Sequence, residues 1–236
     1  MLPQSRSLAV RSVEAVGAYT LLRLWRDGTE AGVPGQFFML QADPAPRDAY
    51  LPRPISAAWA DDEELAFLLD VRGPGTRSLA AAEAVDVLGP LGHGFHLGPG
   101  PAILVGGGIG AAILPWLVRL LPDARSLLGF RTEAHAVCAA LIDPEATVVV
   151  EPDLVTEPLA RLLPGFEGTV YACGPDGMLG AVAALTAEHG VACQLAMEAA
   201  MACGFGACYG CAVKIDGRWK RLCVEGPVVE ASRAVA

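Results

Sequence analysis

Four cysteines near the C-terminal end constrain this chain more than any other feature: Cys203, Cys208 and Cys211 stand close together, and Cys223 follows after a short gap. The order C-x4-C-x2-C…C is that of a plant-type [2Fe–2S] site. Three thiolates on one loop and a fourth brought back beside them can hold two irons. Gly204, Gly206 and Gly210 let the backbone curl so that its N–H groups reach the sulfurs. Between Cys211 and Cys223, Asp216-Gly217 is the dipeptide favoured in a two-residue I′ hairpin, so two short strands would return the fourth cysteine to the others. Structural zinc fits less well, because it usually takes two separated cysteine knuckles or a Cys/His mixture, and no histidine lies nearby. Disulfides fit poorly too: seven cysteines is an odd number, Cys138, Cys173 and Cys193 sit far away in apolar stretches, and no secretory signal precedes them. A reducing cytosol is expected, with those three thiols buried as small hydrophobes.

A chain of 236 residues has room for one large or two small domains plus an appendage. Its formal net charge of −9 argues against a nucleic-acid or anionic-membrane surface, both of which need clustered positive charge. Proteins and small molecules are the expected partners. Ala102 to Val118 is nearly continuous in apolar residues, yet Gly106, Gly107, Gly108, Gly110 and Pro115 interrupt it. It also falls short of the roughly 20 residues that span a bilayer, and reads better as strand, loop and helix.

Three segments follow. Residues 1–98 read as a small antiparallel β-barrel, with strands at Leu8–Val16, Tyr19–Trp25, Gln36–Gln41, Leu65–Val71 and Val85–Leu88. Leu97 to Pro101 reads as a linker. Residues 99–193 carry compact apolar runs at Ala102–Val105, Ser126–Phe130, Thr147–Val150 and Thr169–Ala172, with helical stretches at Ile113–Leu121 and Met178–His189; this is an α/β domain with a parallel sheet. Residues 194–236 form the cluster segment.

The turn Gly106-Gly107-Gly108-Ile109-Gly110 follows a strand and opens a helix, so its backbone can approach a pyrophosphate; taken alone it is equally a structural tight turn. Tyr171 to Met178 makes a second strand-to-turn-to-helix junction at the same sheet edge, where open α/β sheets place ligands. Arg53-Pro54-Ile55-Ser56 joins a cation, a rigid extended dipeptide and a hydroxyl, the parts of a flavin-phosphate clamp or of an ordinary surface turn. Gly73-Pro74-Gly75-Thr76 adds a turn with exposed N–H groups. His93 lacks a paired carboxylate and is assigned no chemistry, and no other side chain is assigned catalytic proton transfer. Arg131 either meets a 2′-phosphate or is solvated.

Together these segments resemble the ferredoxin–NADP reductase superfamily and, within it, the electron-transfer subunits of NAD-dependent, type B dihydroorotate dehydrogenases. The resemblance runs over essentially the whole chain: P-G-Q-F at Pro34–Phe37, R-P-I-S at Arg53–Ser56, G-x-G-T at Gly73–Thr76, G-P-L-G-H-G-F at Gly89–Phe95, the G-G-G-I-G turn and C-G-P-x-x-M at Cys173–Met178. Its most specific part is M-A-C-G-F-G-A-C-Y-G-C, followed by R-L-C-V-E-G-P-V at Arg221–Val228. It implies FAD held by Arg53, Pro54, Ile55 and Ser56, with Gly75 and Thr76 near its phosphates and Leu68, Leu69 and Asp70 lining it; Asp70 stands where relatives often carry a basic or neutral residue. It implies NAD over Gly106, Gly107, Gly108, Ile109 and Gly110 and against Cys173, Gly174 and Pro175, and the [2Fe–2S] cluster on Cys203, Cys208, Cys211 and Cys223. It further implies a cytoplasmic complex of two plus two chains with an FMN-containing catalytic subunit. In that complex dihydroorotate is oxidised elsewhere, in pyrimidine biosynthesis, and this chain relays the electrons to NAD⁺. A related reductase subunit acting on ferredoxin or a sulfur substrate would show similar motifs. A non-catalytic iron–sulfur sensing module is the alternative of another class, opposed by the intact R-P-I-S, G-x-G-T and C-G-P motifs.

Overall fold

Apolar residues in the N-terminal part fall into seven strands: β1 Arg6–Val16, β2 Tyr19–Trp25, β3 Phe37–Asp43, β4 Arg53–Ser56, β5 Trp59–Ala60, β6 Glu64–Leu69 and β7 Ala84–Leu91. The computed structural model describes residues 5–45 and 47–234, so Pro46 and the outermost ends of the expected 1–98 and 194–236 segments lie outside it. The strands form one antiparallel sheet in the order β4-β3-β7-β1-β2-β6-β5. Register shifts in β1 after Val10 and in β3 between Phe37 and Met39 increase the local twist and help curl the sheet until β4 meets β6. Its interior holds Leu8, Leu22, Phe38, Leu40, Phe67 and Leu69, with the Phe38 and Phe67 rings edge to face at 5.7 Å. Helix α1 (Pro74–Leu79) packs against β3. The expected barrel is present, with β4 and β5 as additions. Pro54 hides β4 from a strand pattern, but β4 is an edge strand, where a missing N–H costs nothing.

The second sheet is built from β8 (Ala102–Gly107), β9 (Arg125–Phe130), β10 (Thr147–Val150), β11 (Thr169–Cys173) and β12 (Ala192–Ala196), parallel in the order β10-β9-β8-β11-β12. Between them run a 3₁₀ turn (Gly108–Ile113), α2 (Leu114–Leu120), α3 (Glu133–Ala136), α4 (Ala139–Ile142), α5 (Thr156–Leu162) and α6 (Asp176–Glu188). All six residues of β8 are buried, as a central parallel strand requires. The long apolar run from Ala102 therefore becomes strand, turn and helix. Among the described residues no helix is long and apolar enough to cross a membrane.

The C-terminal segment contributes β13 (Ala212–Ile215), β14 (Arg218–Arg221), α7 (Leu222–Glu225), β15 (Val228–Glu230) and α8 (Ala231–Ala234). It is less separate than the sequence suggests. The expected boundary between 193 and 194 falls inside β12, because Gln194–Ala196 pair with Tyr171–Cys173 on one side and, antiparallel, with Val228–Glu230 of β15 on the other. The hydrophobic cores cross boundaries in the same way. One joins the barrel interior to α2 and α4; the other joins Phe37, Met39 and Leu91 to Cys211, Leu222 and Cys223. The expected linker is pinned as well. The buried Gln194 amide accepts from His96 N–H at 2.9 Å and donates to His96 O at 2.8 Å, while Tyr171 Oη accepts Gly98 N–H at 2.9 Å. His93 works through its backbone, donating to Gly226 O at 2.6 Å and accepting from Val228 N–H at 3.4 Å.

Candidate functional site

From Met197 to Gly210 the chain forms neither helix nor strand; it then enters the β13–β14 hairpin, whose Asp216 and Gly217 take φ values of 53° and 67°, the I′ turn expected of this dipeptide. The four cysteines come together as two pairs. Cys211 Sγ lies 3.3 Å from Cys223 Sγ, and the Cys208 side chain lies near enough to the Cys203 thiol to lower its pKa. Desolvation raises the Cys203 thiol, but backbone N–H groups of Cys208, Phe205 and Ala207 together with the Cys208 side chain outweigh it and bring the pKa to about 7. Cys208 Sγ accepts Gly210 N–H at 3.4 Å. Cys223 is the opposite case: desolvation and the adjacent Cys211 push it up to about 12. Among the described residues no three such side chains converge as the shell of a single metal ion. Two thiol pairs, one supplied with N–H donors and one buried and in need of positive charge, fit a two-iron cluster better than one zinc. Gly204 (φ 77°) lies against Met39, whose Sδ would be 2.7 Å from any Cβ placed there, so the loop presses directly on the barrel wall.

Behind that wall is a cleft of about 270 Å³. Its barrel side is Phe37, Pro54, Ile55, Ser56, Leu68, Asp70 and Thr76; Ile109 and Gly110 of the 3₁₀ turn and Cys173 at the end of β11 face them, and Met197, Glu198 and Met201 close the remaining side. Apolar walls with polar groups at the rim suit a flat aromatic ring system, and the residues present fit a flavin. The pleat of β6 explains which residues take part: Leu68 and Asp70 face the cleft, whereas Leu69 points into the barrel core and does not line it. Arg53 lies beside the cleft, not in its lining, with Nη1 donating to Leu51 O at 2.8 Å and the guanidinium packed over Gly75, where a side chain would collide with it. The Thr76 hydroxyl accepts the Arg72 and Gly73 N–H groups at 3.1 and 3.3 Å, so it also holds its own turn. Asp70 Oδ2 is set against the Arg72 guanidinium without a well-aligned hydrogen bond.

A second cleft of about 390 Å³ opens over the C-terminal ends of the parallel strands. Gly107, Gly108, Ile109, Gly110, Gly174 and Pro175 line it, so both sequence-identified turns reach one site. Gly110 and Gly174 touch backbone to backbone; a Cβ at Gly110 would lie 2.6 Å from Gly174 Cα. Gly106 is not in the lining and instead makes room for Ala111 and Leu114. Ile109, Gly110 and Glu198 border both clefts. Glu198 is reached by solvent yet ringed by protein, and desolvation with the nearby Asp176 charge raises its carboxyl pKa. Sequence reasoning missed Glu198, Met197 and Met201, although they immediately precede the cysteine loop. It also missed Tyr19, whose phenol, pushed up to about 12 mainly by burial, reaches the second cleft from a barrel strand. Nothing in its local sequence marks it.

The model of the iron–sulfur cluster binding domain of dihydroorotate dehydrogenase B matches residues 198–234, which contain all four paired cysteines. The dihydroorotate dehydrogenase B (NAD(+)) electron transfer subunit of Caldanaerobacter subterraneus subsp. tengcongensis is 34% identical over 218 residues, covering 86% of this chain and 87% of that protein. The chain belongs to this family. The electron transfer subunit of Clostridium acetobutylicum is 35% identical over 219 residues, covering 86% of each. As a member of the family the chain is an oxidoreductase subunit working in electron transfer. Among solved structures, an NADH-dependent reduced ferredoxin–NADP oxidoreductase described for flavin-based electron bifurcation matches with a TM-score of 0.83 at 21% identity, covering 96% of this chain and 88% of that one. Phthalate dioxygenase reductase matches with a TM-score of 0.64 at 14% identity, covering 89% and 86%. At these identities the structures speak for the fold, which is that of the ferredoxin–NADP reductases.

Proposed function

We propose that this electron transfer subunit carries a [2Fe–2S] cluster on Cys203, Cys208, Cys211 and Cys223, FAD in the first cleft and a nicotinamide dinucleotide in the second. Dihydroorotate would be oxidised on a separate FMN-containing subunit, in a cytoplasmic complex of two plus two chains. The observation that carries this reading is the linear order of the three sites: Met201 lines the first cleft two residues before Cys203, and Ile109, Gly110 and Glu198 are shared between the first and second clefts. When bound, a flavin exchanges electron pairs with nicotinamide and single electrons with a cluster, which is why it belongs in the middle. The chain's own part is to hold and insulate. Phe37, Met39 and Leu91 keep water out between the cysteine loop and the first cleft. The backbone around Cys203 supplies N–H groups to sulfur, and the Gly110–Gly174 contact keeps the two turns close enough for the clefts to share a wall.

The partner's seat is on the outside of the cysteine loop. Phe205, Tyr209 and Trp219 are exposed there, with Arg221 stacked 4.7 Å over Tyr209 and Lys214 6.0 Å from the Trp219 ring. Aromatic and arginine anchors beside an exposed cluster ligand are what a protein docking face uses. The test of the reading is direct: the purified holo-subunit should contain iron, acid-labile sulfide and FAD and should reduce an artificial dye with NADH. Stoichiometric zinc with no sulfide in anaerobically prepared protein would sink it.

A further inference from the structure

The outer end of the second cleft carries charges that the reading above leaves unused. Strands β9 and β10 are parallel neighbours in register, Phe130 opposite Val150, so the residues that follow them emerge side by side. Glu151 N–H donates to Phe130 O at 3.0 Å, and Asp153 N–H to Val150 O at 3.1 Å; these bonds fold the chain after β10 back toward Arg131 at the end of β9. Arg131, Glu151 and Asp153 all line the cleft and all are exposed. His135 also lines it, but its Nδ1 is engaged with Thr132 Oγ1 at 2.8 Å and its ring packs edge to face on Tyr19. In sheet order, β11 with Cys173 and Gly174 comes first, then β8 with the glycine turn, then β9 and β10. A dinucleotide with its nicotinamide at the shared wall and its pyrophosphate over the glycine turn therefore extends its adenosine ribose to the Arg131, Glu151 and Asp153 pole.

Arg72 also lines the cleft, but its charge is paired with Asp70; the two carboxylates and the one remaining guanidinium make that pole net negative. A 2′-phosphate monoester would bring about −1.5 to −2 further charge at neutral pH, whereas a free 2′-hydroxyl donates to a carboxylate. We propose that Glu151 and Asp153 are the specificity-determining residues of the second cleft, accepting from the ribose hydroxyls of NAD and repelling the 2′-phosphate of NADP. Arg131 is accordingly not a 2′-phosphate clamp, because its single charge is outnumbered. This proposal rests on the second cleft being the dinucleotide site.

Equilibrium binding of NAD⁺ and NADP⁺ to the holo-subunit, followed by calorimetry so that turnover plays no part, tests it. The wild-type chain should favour NAD⁺. In the Glu151→Gln/Asp153→Asn double variant the preference should shrink by at least about tenfold, chiefly through tighter NADP⁺ binding, which corresponds to about 1.4 kcal/mol. Arg131→Gln should widen the preference. Either single carboxylate variant carries the same test with a smaller shift, should the double variant not fold. An unchanged ratio in folded carboxylate variants, or a wild-type preference for NADP⁺ that Arg131→Gln abolishes, would overturn the proposal while leaving the cleft assignment standing. Binding of neither dinucleotide to the wild type would overturn the cleft assignment and this proposal together.

Discussion

The barrel and the cysteine loop press against each other, yet they are held by different means. In the barrel, β6 is buried along its whole length and β2 buries Tyr19, Leu21, Leu22 and Leu24. Each leucine and phenylalanine among them contributes roughly 1.5–3 kcal/mol by leaving water, so the walls of the first cleft are shaped by packing before any cofactor arrives. From Met201 to Gly210 only Gly204 is buried. That stretch buries little of its apolar surface, so in the proposed reading its shape depends on what its sulfurs bind. A cofactor can therefore be a guest in one region and a structural member in the other.

The largest expected effect follows from that contrast. Cys208, a proposed cluster ligand, is exposed, so Cys208→Ser removes a thiol without opening a cavity. Iron and sulfide should fall from the two of each in a [2Fe–2S] cluster to near zero, protease cleavage within residues 198–221 should rise, and FAD content should stay close to wild type. Parallel loss of FAD would mean that the barrel cleft also depends on the cluster. Next in size is the docking face. A Phe205→Asp/Tyr209→Asp double variant should weaken assembly with the catalytic subunit by about 2 kcal/mol or more, cutting dihydroorotate-to-NAD⁺ turnover far more than NADH–dye turnover. Full coupled activity in that variant would remove these residues from the interface.

Arg53→Ala sharpens the comparison from the barrel side. If the guanidinium reaches FAD, retention should weaken by roughly 1.5–3 kcal/mol, and Lys should rescue it only in part for want of the planar fork; unchanged FAD affinity would reduce R-P-I-S to a turn. A smaller effect belongs to the joint between the regions. Gln194→Ala leaves the His96 N–H without its partner and His96 O with only the long 3.5 Å bond from Tyr171 Oη, so the unfolding free energy should drop by about 1–3 kcal/mol. No change in denaturant midpoint would show that the linker is held by other contacts.

Legibility in the sequence follows the same division. The cysteine spacing and the Asp216-Gly217 turn announce the cluster loop, because ligand chemistry demands fixed residues at fixed intervals. The barrel's existence shows in its alternation, but β4 does not, since Pro54 is tolerated only through its edge position, which is a tertiary fact. Leu69 stands between Leu68 and Asp70 in the cleft lining that the resemblance implies. The pleat separates them, and an adjacent triplet in sequence cannot occupy one face of a strand. β12 and β15 were hidden for another reason: they pair across a stretch of chain occupied by the whole cysteine loop. Tyr19 and Glu198 enter the clefts from elements with no motif of their own, placed there by domain packing alone.

The central claim is that this chain conducts electrons and leaves the oxidation of dihydroorotate to another subunit. The most direct measurement is NADH formation from dihydroorotate and NAD⁺ by the purified holo-subunit, before and after adding the catalytic subunit. The account predicts none before and sustained formation after. Robust dihydroorotate oxidation by the isolated chain would contradict it.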